Sequence, residues 1–253
     1  MPHKYTYPNS EVLRNKFGLQ DRVAAHTMET RLAYQRVAEL VRNPVQGNFD
    51  LDHLLEINRR TLQDMYDWAG ELRDIPTGTT NTGLVHCLPE YLPEQSRFVF
   101  RQLARDNHLQ DMDDNVFADR LAYHWGELTA LHPSLDGNTR SQRVFVDQLT
   151  QETGRSIDWA AVNQNISAFK VARLHAHAGN HEPLRDQLAQ VIRPQSTTRP
   201  TGPELAGPAV DPAVTKAALS GPATPGSAGT GTTATVAKKQ GRTGRGREGN
   251  ELS

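Results

Sequence analysis

Thirteen consecutive residues, Leu131-His132-Pro133-Ser134-Leu135-Asp136-Gly137-Asn138-Thr139-Arg140-Ser141-Gln142-Arg143, gather the side chains best suited to chemistry. His132 carries an imidazole whose reference pKa of about 6.5 lets it take a proton from a hydroxyl at neutral pH. Asp136 is a hard oxygen ligand of the kind Mg²⁺ prefers, and nucleoside triphosphates bring that ion with them. Gly137 lets backbone come close to a ligand. A helix opening at Asn138 leaves its first-turn N–H groups without intrahelical partners, which is where phosphate oxygens bind. Arg140 and Arg143 are three residues apart, hence neighbours on one face near that end. Paired guanidiniums suit a polyphosphate because each grips oxygens bidentately. A base, a metal ligand, an anion site and two arginines together point to nucleotide transfer. The same residues also read as a helix stop, a solvated turn and two surface charges. Spacing alone leaves both readings open.

The elements that position this loop read as mostly helical. Asp21 is placed to cap a helix running to about Arg42, before Asn43-Pro44. Leu51, Leu54, Leu55, Leu62, Met65 and Tyr66 predict a second helix, from near Asp50 to around Gly70. Residues 74–92 are rich in Thr, Gly and Asn and lack a 3.6-residue period, so they predict a β-hairpin or flap turning near Asn81 to Gly83. Helix signals resume from Pro93 to about Asp106. Phe117, Leu121, Trp125 and Leu128 then mark a helix ending near Leu131-His132-Pro133. Another spans Asn138 to about Thr153, with Gly154 at its C′ position. Two more fit Asp158–Arg173 and Glu182–Arg193. The fold class expected is all-α with one small β element.

Charge and composition set the boundaries. The 253 residues hold 28 Lys+Arg and 29 Asp+Glu, a net charge of −1. Residues 1–193 carry 21 basic and 25 acidic side chains, whereas 194–253 carry 7 and 4. All 16 aromatics and all 10 His precede residue 194. A final segment that poor in apolar side chains cannot offset the entropy of ordering it. One domain over 1–193 and a disordered, Pro/Gly/Ala/Thr-rich basic tail over 194–253 are therefore expected. No apolar run is long enough for a membrane span, and MPHKYTYPNS has no apolar signal region. The single cysteine, Cys87, rules out an internal disulfide and fits a reducing, cytoplasmic compartment. Near-neutral charge argues against a nucleic-acid partner for the globular part.

The loop resembles the signature of the Fic family, His-x-Phe followed by two residues that usually end in Asp or Glu, then Gly-Asn-Gly-Arg-x-x-Arg. His132, Asp136, Gly137, Asn138, Arg140 and Arg143 match in identity and spacing. Trp68-Ala69-Gly70-Glu71-Leu72-Arg73 resembles the Trp-Ala-Gly-x-x-Arg that precedes the family's flap, and residues 75–90 sit where that flap lies. The resemblance covers roughly residues 10–192, with the core over about 50–192. It implies a Fic-type helical domain that transfers AMP from ATP, with Mg²⁺, to a Tyr, Thr or Ser hydroxyl of a target protein. In that reading His132 is the general base and Asp136 the metal ligand. Gly137, Asn138 and the Thr139 backbone cradle phosphates. Arg140 holds the β- and γ-phosphates, and Arg143 reaches the γ-phosphate. The flap, from Thr77 and Gly78 to Gly83 and Leu84, pairs with the target's backbone. Ser134 stands where the family has Phe, and Thr139 where it has a second Gly. Those two departures keep open a catalytically impaired Fic fold used as a binding module. Transfer of UMP, phosphate or phosphocholine is the other alternative.

Many relatives are restrained by a glutamate in a Ser/Thr-x-x-x-Glu-Gly/Asn motif that pairs with the last arginine of the signature. Here only Glu248 is followed by Gly or Asn, and Gly244 precedes it by four. The resemblance therefore implies a toxin or effector with Arg143 free, restrained, if at all, by a separate small antitoxin. Three further features carry competing readings. His177 and His181, with His175 beside them, have the i, i+4 spacing of a helical metal site, or mark a surface helix end. Cys87 is a flap thiol or a packing residue. The basic run Lys238–Arg247 is a phosphate-contacting patch, an export signal or a solvated tail.

Overall fold

The computed structural model describes residues 4–79, 82–195 and 205. Aspartates start four of the helices by accepting a first-turn N–H, which satisfies one of the orphan donors at each end. Asp21 caps α1 (Arg22–Arg42) through Ala24, and Asp50 caps α2 (Leu51–Leu62) through His53. Asp113 caps α4 (Asp114–Leu131) through Val116. Asp158 caps α6 (Trp159–Gln164) through Ala161. The remaining helices are α3 (Leu92–Arg105), α5 (Asn138–Glu152), α7 (Ile166–His177) and α8 (Glu182–Val191).

Several predicted boundaries move, each for a local reason. Helix α2 stops at Leu62 rather than near Gly70. The Asn58 side chain accepts the Gly70 N–H at 3.0 Å, which folds residues 63–70 back onto the helix they were expected to extend. Met65 and Tyr66 are buried all the same. The predicted helix over 158–173 is two helices, broken at Asn165 (φ −112°, ψ 30°). Helix α8 ends two residues early, where the chain turns into a strand.

The β structure lies partly elsewhere than expected. In the flap, Gly78 and Val85 form one antiparallel bridge, with backbone bonds from His86 to Thr77 (3.0 Å) and from Thr79 to Leu84 (2.9 Å). Gly83 has φ +72°, as the predicted turn requires, whereas Asn81 lies outside the described residues. The regular sheet is antiparallel, β1 (Arg155–Ile157) against β2 (Ile192–Pro194), with Ser156 opposite Arg193. It ties the entry to α6 to the exit from α8. Gln195 adds a bond to Gly154 at 2.9 Å, and Leu205 is buried at 1% exposure. The described residues fall within one compact unit.

Helix α4 is the central element and packs against α3, α5, α7 and α8. Its Phe117, Leu121, Trp125 and Leu128 are all buried, as their spacing predicts. A second cluster joins α1 to Met65 and Tyr66 beyond α2. Helices α1 and α2 also pack on α5, so the junction between α4 and α5 lies where the two clusters meet. Among the described residues, no helix is long and apolar enough to cross a membrane.

Candidate active site

Helix α4 ends on His132, whose backbone is left-handed (φ 45°, ψ 60°). Histidine is among the few non-glycine types enriched in that region. The turn frees the His132 carbonyl, which accepts from Arg73 Nε at 2.7 Å. Arg73 is buried and also donates to the carbonyls of Ile75 (2.8 Å), Leu131 (3.3 Å) and Cys87. Its own N–H bonds Pro133 O at 2.9 Å. One guanidinium thus ties both legs of the flap to the end of α4, and burial lowers its pKa.

Polar staples hold the loop that follows. Asn138 accepts the Ser134 N–H at 3.0 Å and returns a bond to Ser134 O at 2.7 Å. Asn58 donates to Asp136 O (2.9 Å) and to Ser141 Oγ (3.1 Å). Ser134, where the family has Phe, is buried inside this network. Gly137 has φ +76°, and a Cβ there would come 2.7 Å from Leu62 Cδ1. Thr139 is the second residue of α5 and has no positive φ, so its branched side chain costs no backbone strain.

Charge is unevenly shared across the loop. Arg140 pairs with Glu29 of α1 and lies 3.7 Å from Asp136. Glu29 is buried and accepts from the Tyr66 hydroxyl at 2.6 Å. Burial opposes the Arg140 charge, but the two carboxylates outweigh it and raise its pKa. Desolvation, and then the Glu29 charge, push the Asp136 carboxyl up to about 6. Two carboxylates around one guanidinium leave a local excess of negative charge, which suits a bound cation. Among the described residues no three ligand-type side chains cluster for a metal. A single hard carboxylate, Asp136, in that excess of negative charge fits an ion such as Mg²⁺ that takes few protein ligands.

Arg143 is held by α6. Its guanidinium lies 4.3 Å from the Trp159 ring centre and donates to Asn163 at 2.9 Å. Both partners come from α6, an element not separated out in the sequence reading. Burial, and then the neighbouring Arg173 charge, lower the Arg143 pKa to about 9.

The flap reaches the loop through a histidine. His86 lies parallel to His132, with ring centres 3.7 Å apart and planes 3° from parallel. Burial holds His132 well below the usual imidazole range, helped by His86, Arg173, Arg73 and His177. The ring is neutral at neutral pH. Thr77, Gly78, Gly83 and Leu84 lie on the same flap. His132, Asp136, Gly137, Asn138, Arg140 and Arg143 share the α4–α5 junction, so the predicted residues fall into two adjoining groups.

Residues 48–150 match the model of the Fic/DOC family. This segment is a Fic/DOC family domain. Over 191 residues the chain is 36% identical to the protein adenylyltransferase VbhT of Bartonella schoenbuchensis, covering 75% of this chain but 38% of that relative. It is 29% identical to a probable protein adenylyltransferase, y4lH, of Sinorhizobium fredii, covering 74% of this chain and 94% of that one. Among solved structures it resembles the N-terminal Fic domain of a VirB-translocated Bep effector protein of Bartonella quintana. That likeness has 25% identity, a TM-score of 0.66, and coverage of 76% of this chain and 93% of the other.

The site also contains residues the sequence did not point to. Glu29 occupies the buried stripe of α1 with Ala25, Ala33 and Val37. A carboxylate at that spacing was a readable signal. His86 and Arg173 offered none, because their role depends on contacts between distant segments. The His175–His181 run forms no metal cluster among the described residues. His177 instead stacks on His86 at 5.1 Å, and His181 packs against Tyr123. Cys87 is a free thiol whose pKa burial raises, and Lys238–Arg247 lies outside the described residues.

Proposed function

We propose that this Fic/DOC domain is a protein adenylyltransferase that moves AMP from ATP to a Tyr, Thr or Ser hydroxyl of a target protein. The observation carrying the reading is His132 at the end of α4, just before the α5 N-terminus, with Arg140 and Arg143 on α5. The target oxygen attacks the α-phosphorus, His132 takes the hydroxyl proton, and pyrophosphate leaves. Backbone N–H groups of Gly137, Asn138 and Thr139 cradle phosphate oxygens, where the helix dipole favours negative charge. Arg140 and Arg143 hold the β- and γ-phosphates. Asp136 would hold Mg²⁺, which neutralises phosphate charge when bound. The flap from Thr77 and Gly78 to Gly83 and Leu84 takes the target backbone by strand addition. Catalysis of this kind rests on positioning and charge, with little covalent work for the protein.

The names of VbhT and y4lH support the transferred group. No glutamate here carries the inhibitory motif, so restraint, where there is any, falls to a separate small antitoxin, as for a toxin-like protein. The likeness to a VirB-translocated effector supports export into a recipient cell, with the cytoplasm as its working compartment. The reading is tested with α-labelled ATP, Mg²⁺ and cell lysate. Label should appear on a protein band with the wild type and vanish with His132→Ala. A wild type that binds ATP but labels nothing would overturn the enzyme in favour of a binding module.

A further inference from the structure

Three imidazoles form a column across the site. His132 closes α4, His86 comes from the flap and His177 from the last turn of α7. The His86 ring lies 3.7 Å from His132 on one face and 5.1 Å from His177 on the other. The flap sets the plane of the middle ring. Thr77 Oγ1 meets its Nδ1 at 2.9 Å, and Thr79 Oγ1 meets its Nε2 at 3.4 Å. His177 Nε2 donates to the Val85 carbonyl at 3.1 Å, which pins the flap to α7.

A general base needs a fixed ring, and a histidine base is commonly oriented by a hydrogen bond to its second nitrogen. Here His132 Nδ1 is buried and has no hydrogen-bond partner among the described residues. Its orientation must come from packing, and the flat surface against it is His86. The charged or titratable groups facing His132 are Arg73 from the segment before the flap, His86 from the flap, and Arg173 and His177 from α7. None is acidic, so no neighbour offers the ring a carboxylate to turn toward.

We propose that His86 is a positioning residue for His132, its ring fixing the plane of the base and directing Nε2 toward the incoming hydroxyl. The inference rests on reading His132 as the base. It makes the flap a part of catalysis as well as of target binding. A flap settled by target pairing sets Thr77, Thr79 and His86 together, and His86 in turn sets His132.

The test compares His86→Phe with His86→Leu. Both remove the bonds to Thr77 and Thr79 and both fill the space, but only Phe offers a flat face. Leu should lower the maximal rate of AMP transfer to the labelled lysate band by between about ten- and a hundredfold. The KM for ATP should not move, and Phe should restore most of the rate. ¹³C relaxation at His132 Cε1 should show a rigid ring in the wild type and in Phe, and a mobile one in Leu. Relaxation is read whether or not anything is transferred. A wild type without activity therefore sinks the adenylyltransferase reading and leaves this one to be decided by ring mobility. An equally rigid His132 in Leu, or a Phe variant as slow as Leu, overturns the proposal.

Discussion

Glu29 shows how much a single side chain can organise. Its carboxylate pairs with Arg140 and accepts from Tyr66, so it sets the charge beside Asp136 from a helix more than a hundred residues away in sequence. Removing one partner of a buried pair leaves the other charge uncompensated, which commonly costs about 3–5 kcal/mol. Asp136 still lies 3.7 Å from Arg140, so Glu29→Ala should destabilise the domain by less than that, about 1–3 kcal/mol, read as a lower urea midpoint at unchanged slope. A change below about 1 kcal/mol would mean that water screens Arg140 and that the pair is ornamental. His132, Asp136, Gly137, Asn138, Arg140 and Arg143 were legible because they lie in one short stretch and are of distinctive types. Glu29, Arg73 and His86 were not assigned to the site, because their partners are brought to them by packing. The Ser134 departure looked damaging by type alone, yet a side-chain amide, Asn138, holds its backbone from both sides.

At the scale of elements, the junction of α4 and α5 depends on two left-handed residues, His132 and Gly137. Gly137 is the N-cap of α5, so its conformation aims the first-turn N–H groups of that helix. A side chain there meets two penalties. The left-handed backbone costs roughly 1–2 kcal/mol for most residues, and Leu62 Cδ1 stands 2.7 Å from the new Cβ. Gly154 provides the control, since it has φ +73° but open space around its Cβ position. Gly137→Ala should lower the melting temperature more than Gly154→Ala does, and only Gly137→Ala should weaken ATP binding by calorimetry. Equal losses at both positions would show that the Leu62 contact yields freely. Helix starts were legible because aspartate caps have a local cause. Ends were less so, because Gly70 and Asn165 stop or redirect the chain through contacts the sequence does not display. The β1–β2 pairing joins residues 35 or more apart, and three-residue strands carry no period to read.

For the whole molecule, the near-neutral charge of −1 hides a set of histidines kept from protonation. Burial lowers the pKa of His53, His86, His124 and His132, with His86 brought down to about 4. In the unfolded chain each imidazole titrates near about 6.5. Between those limits the unfolded state binds protons that the folded state refuses, so stability must fall as pH falls. Each group contributes up to about 1.4 kcal/mol per pH unit across its own window. Asp136, raised to about 6, opposes this trend because it takes up its proton in the folded state first, but it is one group against four imidazoles. Other carboxylates act lower. Arg59, outweighing burial, holds Glu56 at about 2, and the pKa of Asp64 is likewise lowered by Arg36, so both stay ionised until pH drops below the ordinary carboxylate range. Urea unfolding at pH 7.5, 6.5, 5.5 and 4.5 should therefore show stability roughly level above 6.5 and declining steadily toward 4.5. His124→Asn should reduce the slope, because its partner Asp106 can still accept a hydrogen bond while one titrating site is gone. Flat stability from pH 6.5 to 5 would show that the four imidazoles together are not held from protonation in the folded state.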